Sequence, residues 1–140
     1  MDLTRAEAFC RSYGDAMAAE DGRAIAAHLG FPYMSFTNGH VGAMTSLPDA
    51  ETACTGQFER WRRIGLGFTL RLVDIAVDPI SGEAALCHLT METQGRDGSA
   101  GWRWTNVYGL RQSAEDQHFE FAIADNQLRE LLARYPDFYA

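Results

Sequence analysis

The sequence predicts an α+β domain in which three to four helices cover the concave face of a curved, mostly antiparallel sheet. Three observations carry this. Helical periodicity dominates the first half of the chain, and four stretches of strand character follow one another in the second half with only turns between them. Those strands run to about 10–12 residues, beyond the usual five or six, and strands of that length twist and coil into a concave surface. The helices are amphipathic and need an apolar face to cover, which the concave side supplies.

The elements follow in order. Thr4 and Glu7 have capping-box spacing, with Leu3 placed as a hydrophobic staple. Phe9, Tyr13, Ala16 and Met17 then recur on one helical face. Asp21 is expected to cap a second, short helix through Leu29, and Gly30 to end it in a left-handed conformation. Phe31–Thr37 and Val41–Thr45 flank the turn dipeptide Asn38-Gly39, which predicts a hairpin. Ser46 and Asp49 open a third helix, with Pro48 in its first turn; Ala50, Cys54, Phe58 and Trp61 share one side, and the helix ends near Gly65.

Phe68–Val77, Glu83–Gln94 and Gly101–Gln112 read as long strands, turned at Asp78-Pro79 with Ser81-Gly82 and at Arg96-Asp97-Gly98. His118–Ala124 is a fourth, shorter strand. Asp125 or Asn126 then caps a terminal helix with Leu128, Leu131, Leu132 and Tyr135 inward, stopped by Pro136. No linker, repeat or low-complexity segment divides the chain, so residues 1–140 are read as one domain.

All 12 basic residues are Arg, set against 19 acids, for a net charge of −7. That balance argues against nucleic acid and anionic membranes as partners. Arg60, Arg62 and Arg63 form a basic exception, read as a solvated helix face. Cys10, Cys54 and Cys87 are odd in number and far apart, which indicates neither a disulfide framework nor a zinc knuckle. Without a signal architecture or a long apolar run, the expectation is a cytoplasmic protein. No His pair or His/carboxylate cluster has metal spacing, and no phosphate loop or nucleophile elbow is present; GLGF at Gly65–Phe68 ends a helix rather than starting one. No metal or cofactor is indicated.

The stretch GWRWTNVYGLRQ carries the most information about a site. Alternation places Trp102, Trp104, Asn106, Tyr108 and Leu110 on one strand face, with a single amide among the aromatics. That face is expected to line a pocket together with Tyr13, Met17, Phe58 and Trp61, although Trp102, Trp104, Tyr108, Phe58, Trp61 and Met17, each taken singly, read more readily as core. Asn106 needs a partner, since an unpaired buried amide costs roughly 1–3 kcal/mol. A ligand carbonyl, Tyr13 or backbone would satisfy it.

The helix FCRSYGDAMAAEDGRAIAAHL, the hairpin FPYMSFTNGHVG, the helix with Trp61 and the meander ending HFEFAIAD resemble the NTF2-like (SnoaL-like) superfamily over nearly the whole chain. The resemblance implies a cone-shaped α+β fold and leaves function open, because the superfamily hosts isomerases, dehydratases, cyclases and many non-enzymes. Against its ketosteroid-isomerase branch, Tyr13 matches the oxyanion-hole Tyr and Asn106 falls at about the position of the partner Asp. The branch's catalytic Asp has no counterpart, for that neighbourhood reads Ser35, Phe36, Thr37 and Asn38.

Two functions follow as expectations. One is a binding domain for a small, mostly apolar molecule. The other is an acid–base enzyme of the isomerase, dehydratase or cyclase type, using Tyr13 and Asn106 with a base such as His28. His40, His88 and His118 are weaker base candidates, and Asp125 reads more naturally as a helix cap. A homodimer is expected, with Val73, Ile75 and Val77 on an exposed sheet face as its interface.

Overall fold

The computed structural model of the chain describes residues 1–63, 68–95 and 101–139. The elements run α1 (Leu3–Ala18), α2 (Gly22–Ala26), β1 (Leu29–Thr37), β2 (His40–Met44), α3 (Leu47–Arg63), β3 (Phe68–Pro79), β4 (Ala84–Gly95), β5 (Arg103–Gln112), β6 (Gln117–Ile123) and α4 (Asp125–Arg134). The predicted element order holds throughout. The end of the third helix near Gly65, the GLGF stretch up to Gly67 and the turn at Arg96-Asp97-Gly98 lie outside the described residues.

The strands form one curved sheet of order β2-β1-β6-β5-β4-β3. All neighbours are antiparallel except β1 and β6, which run parallel because the chain must cross the sheet between them. Extra residues in β1, β3 and β6 shift the register along it. Helix α1 lies on β3 and β4, α4 on β5 and β1, and α3 packs on α2 and reaches β2. The core is therefore the inner sheet face, where Cys87, Leu89, Met91, Trp104, Leu110 and Phe119 are all buried.

Local chemistry explains the boundaries and corrects several expectations. Helix α1 starts at Leu3 because the Asp2 carboxylate accepts from the Arg5 N–H at 3.0 Å, so Asp2 and not Thr4 is the cap. Gln112 at the end of β5 grips Asp2 at both its N–H (2.7 Å) and its carbonyl (3.1 Å), which fixes the start of α1 to the sheet. Asp21 caps α2 as expected, accepting from the Ala24 N–H. That helix ends at Ala26, and Gly30 lies inside β1 rather than in a left-handed cap. Gly30 is required there for space: a Cβ would stand 2.0 Å from the His118 ring. Asn38 and Gly39 have φ of 49° and 83°, the two positive values of a type I′ turn.

Asp125 is the first residue of α4, not its cap, and its carboxylate accepts the Asn38 N–H of the hairpin turn. The expected exposed face of Val73, Ile75 and Val77 is also corrected. A bulge between Leu72 and Asp74 shifts the parity of β3, so that Ile75 and Val77 pair with Leu89 and Cys87 and pack against the core. The outer face instead carries Phe36, Val41 and Ile123 as exposed apolar residues. No helix among the described residues is long and apolar enough to cross a membrane.

Helices α2 and α3 pack backbone to backbone at Gly22, where a Cβ would meet the Thr55 nitrogen at 2.5 Å. Neither backbone can yield as a flexible side chain would. Gly22→Ala should therefore lower stability by about 1–3 kcal/mol, read from urea unfolding. A midpoint equal to that of the parent would show that the two helices are free to separate.

Candidate functional site

The helices do not fill the concave face. Between α1, α3, α4 and the hairpin lies a cavity of about 680 Å³, within the range of small-molecule sites. Tyr13 and Met17 reach it from α1, Cys54, Phe58 and Trp61 from α3, and Gln127, Leu128, Leu131 and Leu132 from α4. Ser35, Thr37 and His40 bring polar groups from the hairpin, and Tyr139 closes another part of the wall. Each helix contributes residues three or four apart, so its apolar stripe turns toward the sheet and the cavity together.

Four of the residues singled out in the sequence thus line the cavity: Tyr13, Met17, Phe58 and Trp61. The β5 stripe lies behind the wall. Trp104, Asn106 and Tyr108 are buried in the core, while half-buried Trp102 packs against Tyr135 and under the Arg134 guanidinium. Tyr13, Tyr108 and Phe119 form a cluster with ring centroids 4.8–5.3 Å apart, which holds Tyr13 in place.

Asn106 still reaches the cavity, through others. Its Nδ2 donates to the Tyr108 hydroxyl at 3.2 Å and to Gln127 Oε1 at 2.8 Å, and the Tyr108 and Tyr13 hydroxyls are 3.0 Å apart. A relay Tyr13–Tyr108–Asn106–Gln127 therefore begins and ends on the cavity wall. No direct Tyr13–Asn106 bond forms. Gln127 was missed in the sequence because it lies on the polar approach to an amphipathic helix, where a Gln is ordinarily solvated. Among the described residues Asn106 Oδ1 is buried without a partner, at a cost of about 1–3 kcal/mol.

Burial raises the Tyr13 pKa well above its ordinary value, and the neighbouring Tyr108 adds to the effect. Tyr108 is raised too, by burial against the opposing hydrogen bonds of Tyr13 and Asn106. Both phenols stay protonated at neutral pH and act as neutral hydrogen-bonding groups. Burial likewise pushes the Cys54 thiol up to about 11. No carboxylate stands among the described residues of the wall, and His40 is exposed where the hairpin meets the cavity. His88 lies on the outer face of β4, opposite Val107, and His118 pairs with Asp116 outside the cavity. Among the described residues, no cluster of His, Cys, Asp or Glu is arranged to hold a metal ion.

No family model matches the chain, and no curated protein matches it. Solved structures do. A domain of unknown function with a cystatin-like fold from Nostoc punctiforme superposes with a TM-score of 0.71 at 13% identity, covering 97% of this chain and 86% of that one. An NTF-2 like protein of unknown function from Shewanella oneidensis gives 0.67 at 11% identity, covering 88% and 98%. A ketosteroid isomerase-like protein from Erwinia carotovora gives 0.63 at 16%, covering 87% and 93%. The NTF2-like, cystatin-like fold expected from the sequence is the fold of this chain.

His28 stands apart from the cavity wall. Its Nδ1 donates to the Ala24 carbonyl at 2.7 Å, which leaves Nε2 to accept from the Ser12 hydroxyl at 3.0 Å. Phe9 and Tyr13 pack against the ring. Burial lowers its pKa against the smaller raising effect of the Ala24 bond. The unfolded chain then binds the proton more readily than the folded one. Stability is full above the unfolded imidazole value of about 6.5 and falls as pH drops through it, down to the folded value. His28→Gln should flatten that fall in urea midpoints measured between pH 7.5 and 5. An unchanged slope would mean that His28 charges as easily in the fold as outside it.

Proposed function

We propose that the chain binds a small, mostly apolar molecule with one polar end, in the cavity between α1, α3 and α4. One observation carries this: a cavity of about 680 Å³ with largely apolar walls, met at two points, Tyr13 and Gln127, by one buried hydrogen-bond relay. Apolar walls supply affinity by excluding water, and a few placed polar groups fix orientation. A flat body seats between the Phe58 and Trp61 side and the leucines of α4. Its carbonyl or hydroxyl meets the relay.

A second reading is an acid–base enzyme of the isomerase, dehydratase or cyclase type. It is supported by Tyr13 on the wall and by the ketosteroid isomerase-like neighbour. In this reading His40 on the rim takes up the proton, since His28 has both ring nitrogens engaged. If His40→Ala left turnover of an unsaturated bicyclic ketone unchanged, this second reading would be sunk.

Binding is read in two ways. Bicyclic aromatic and steroid-like compounds, screened by thermal shift, should include some that stabilise the protein by about 2.7 kcal/mol at 100 times Kd. That corresponds to roughly 8–10 °C in a chain of this size. The same compounds should slow alkylation of Cys54, which lines the cavity, whereas Cys10 and Cys87 are fully buried. Leu132→Trp, which fills the space, should remove both effects. If no compound shifts the melting temperature and Cys54 is never protected, the binding proposal fails.

A further inference from the structure

We infer that Asn106 sets the polarity of the cavity, making it a site for ligands whose polar end accepts hydrogen bonds, such as a ketone or other carbonyl oxygen. The inference rests on the cavity being a ligand site and goes on to name which end chemistry it takes. Both hydrogens of the Asn106 amide nitrogen are spent, one on the Tyr108 hydroxyl and one on Gln127 Oε1. Each bond fixes a direction further along. With its oxygen accepting from Asn106, Tyr108 must place its own single hydrogen, and the neighbouring Tyr13 hydroxyl at 3.0 Å receives it. The reverse direction would bury a Tyr108 hydrogen with no acceptor, since among the described residues that hydroxyl is held between Asn106 and Tyr13 alone. Tyr13, now an acceptor toward Tyr108, keeps its hydrogen for the cavity that it lines.

The other branch gives the same sign. Gln127 Oε1 is held by Asn106, so the free part of the Gln127 amide is Nε2, a donor, on the same cavity wall. Two donors are therefore available on the cavity wall, and one amide orients both. Asn106 is 2% exposed and does not line the cavity; it acts as a positioning residue. Its nitrogen faces the relay even though its own Oδ1 finds no partner among the described residues.

An ionised aspartate at this position reverses every direction, whereas the protonated acid, which burial favours, still carries one donor. A carboxylate would accept from Tyr108 and from Gln127 Nε2. Tyr13 would then donate to Tyr108 and show the cavity only lone pairs, and Gln127 would show its oxygen. Three probes with one bicyclic skeleton read this out: α-tetralone, which accepts; tetralin, which does neither; and tetrahydroquinoline, whose N–H donates.

In the parent protein, α-tetralone should bind about tenfold tighter than tetralin, and tetrahydroquinoline no tighter than tetralin, by calorimetry or Cys54 protection. In Asn106→Asp the order should reverse once the pH is high enough to ionise the buried carboxyl, followed by loss of its protonated-carboxyl infrared band, with tetrahydroquinoline at least about fivefold tighter than α-tetralone. A purely structural role for Asn106 would weaken all three together. Should that variant fail to fold, Gln127→Glu serves, because one carboxylate oxygen keeps the Asn106 bond and the second replaces the free amide nitrogen. It should lower the ketone-to-amine affinity ratio by about fivefold or more.

Equal binding of α-tetralone and tetralin to the parent overturns this inference and leaves the cavity a binding site. A ketone preference that persists unchanged in Asn106→Asp with its carboxyl ionised, or in Gln127→Glu, overturns it as well. If none of the three probes binds the parent, this inference fails, while the binding proposal is decided by the wider thermal-shift screen.

Discussion

The arrangement depends on how α1 is seated on the sheet. Phe119 of β6, fully buried, meets the rings of Phe9, Tyr13 and Tyr108 edge-on or tilted, with centroids 4.8–5.3 Å apart. Each such ring pair adds about 0.5–1.5 kcal/mol beyond its buried area, and the geometry is directional where aliphatic packing is not. That directionality fixes the Tyr13 hydroxyl beside that of Tyr108. Without it, α1 could still cover β3 and β4, but the relay would lose one end and the cavity its wall.

The cavity is a consequence of the same seating. Helix α1 is held by Asp2 at the end of β5 and by the aromatic cluster at its middle. Helix α3 is held against α2 at a contact too close for any side chain at Gly22. Both are kept from closing onto the centre of the curved sheet. The resulting space is walled by side chains that had to be apolar to fold and that also suit a ligand.

Much of the fold was legible because it rests on local periodicity. The element order, the hairpin at Asn38-Gly39 and the inward faces of α1, α3 and β5 follow from spacing and turn chemistry. The misread positions have non-local causes. A bulge at Val73 turned Ile75 and Val77 inward, and no propensity marks it. Gly30 answers to the ring of His118, a residue far along the chain, and Asp125 to the Asn38 N–H. For the site, alternation in β5 singled out Asn106 and Tyr108 but could not tell the layer behind a wall from the wall itself. Gln127 was invisible, since only the folded relay gives it a role.

The bond from the Asn38 N–H to Asp125 joins the tip of the β1–β2 hairpin to the first residue of α4. These two pieces carry Thr37 and His40 on one side of the cavity and Gln127 and Leu128 on the other. Riveted at that point, they form a single door frame rather than two independent jambs. Widening the opening would mean shifting the hairpin and the helix as one body, so entry of a molecule of the kind proposed would depend on a carboxylate that does not line the cavity.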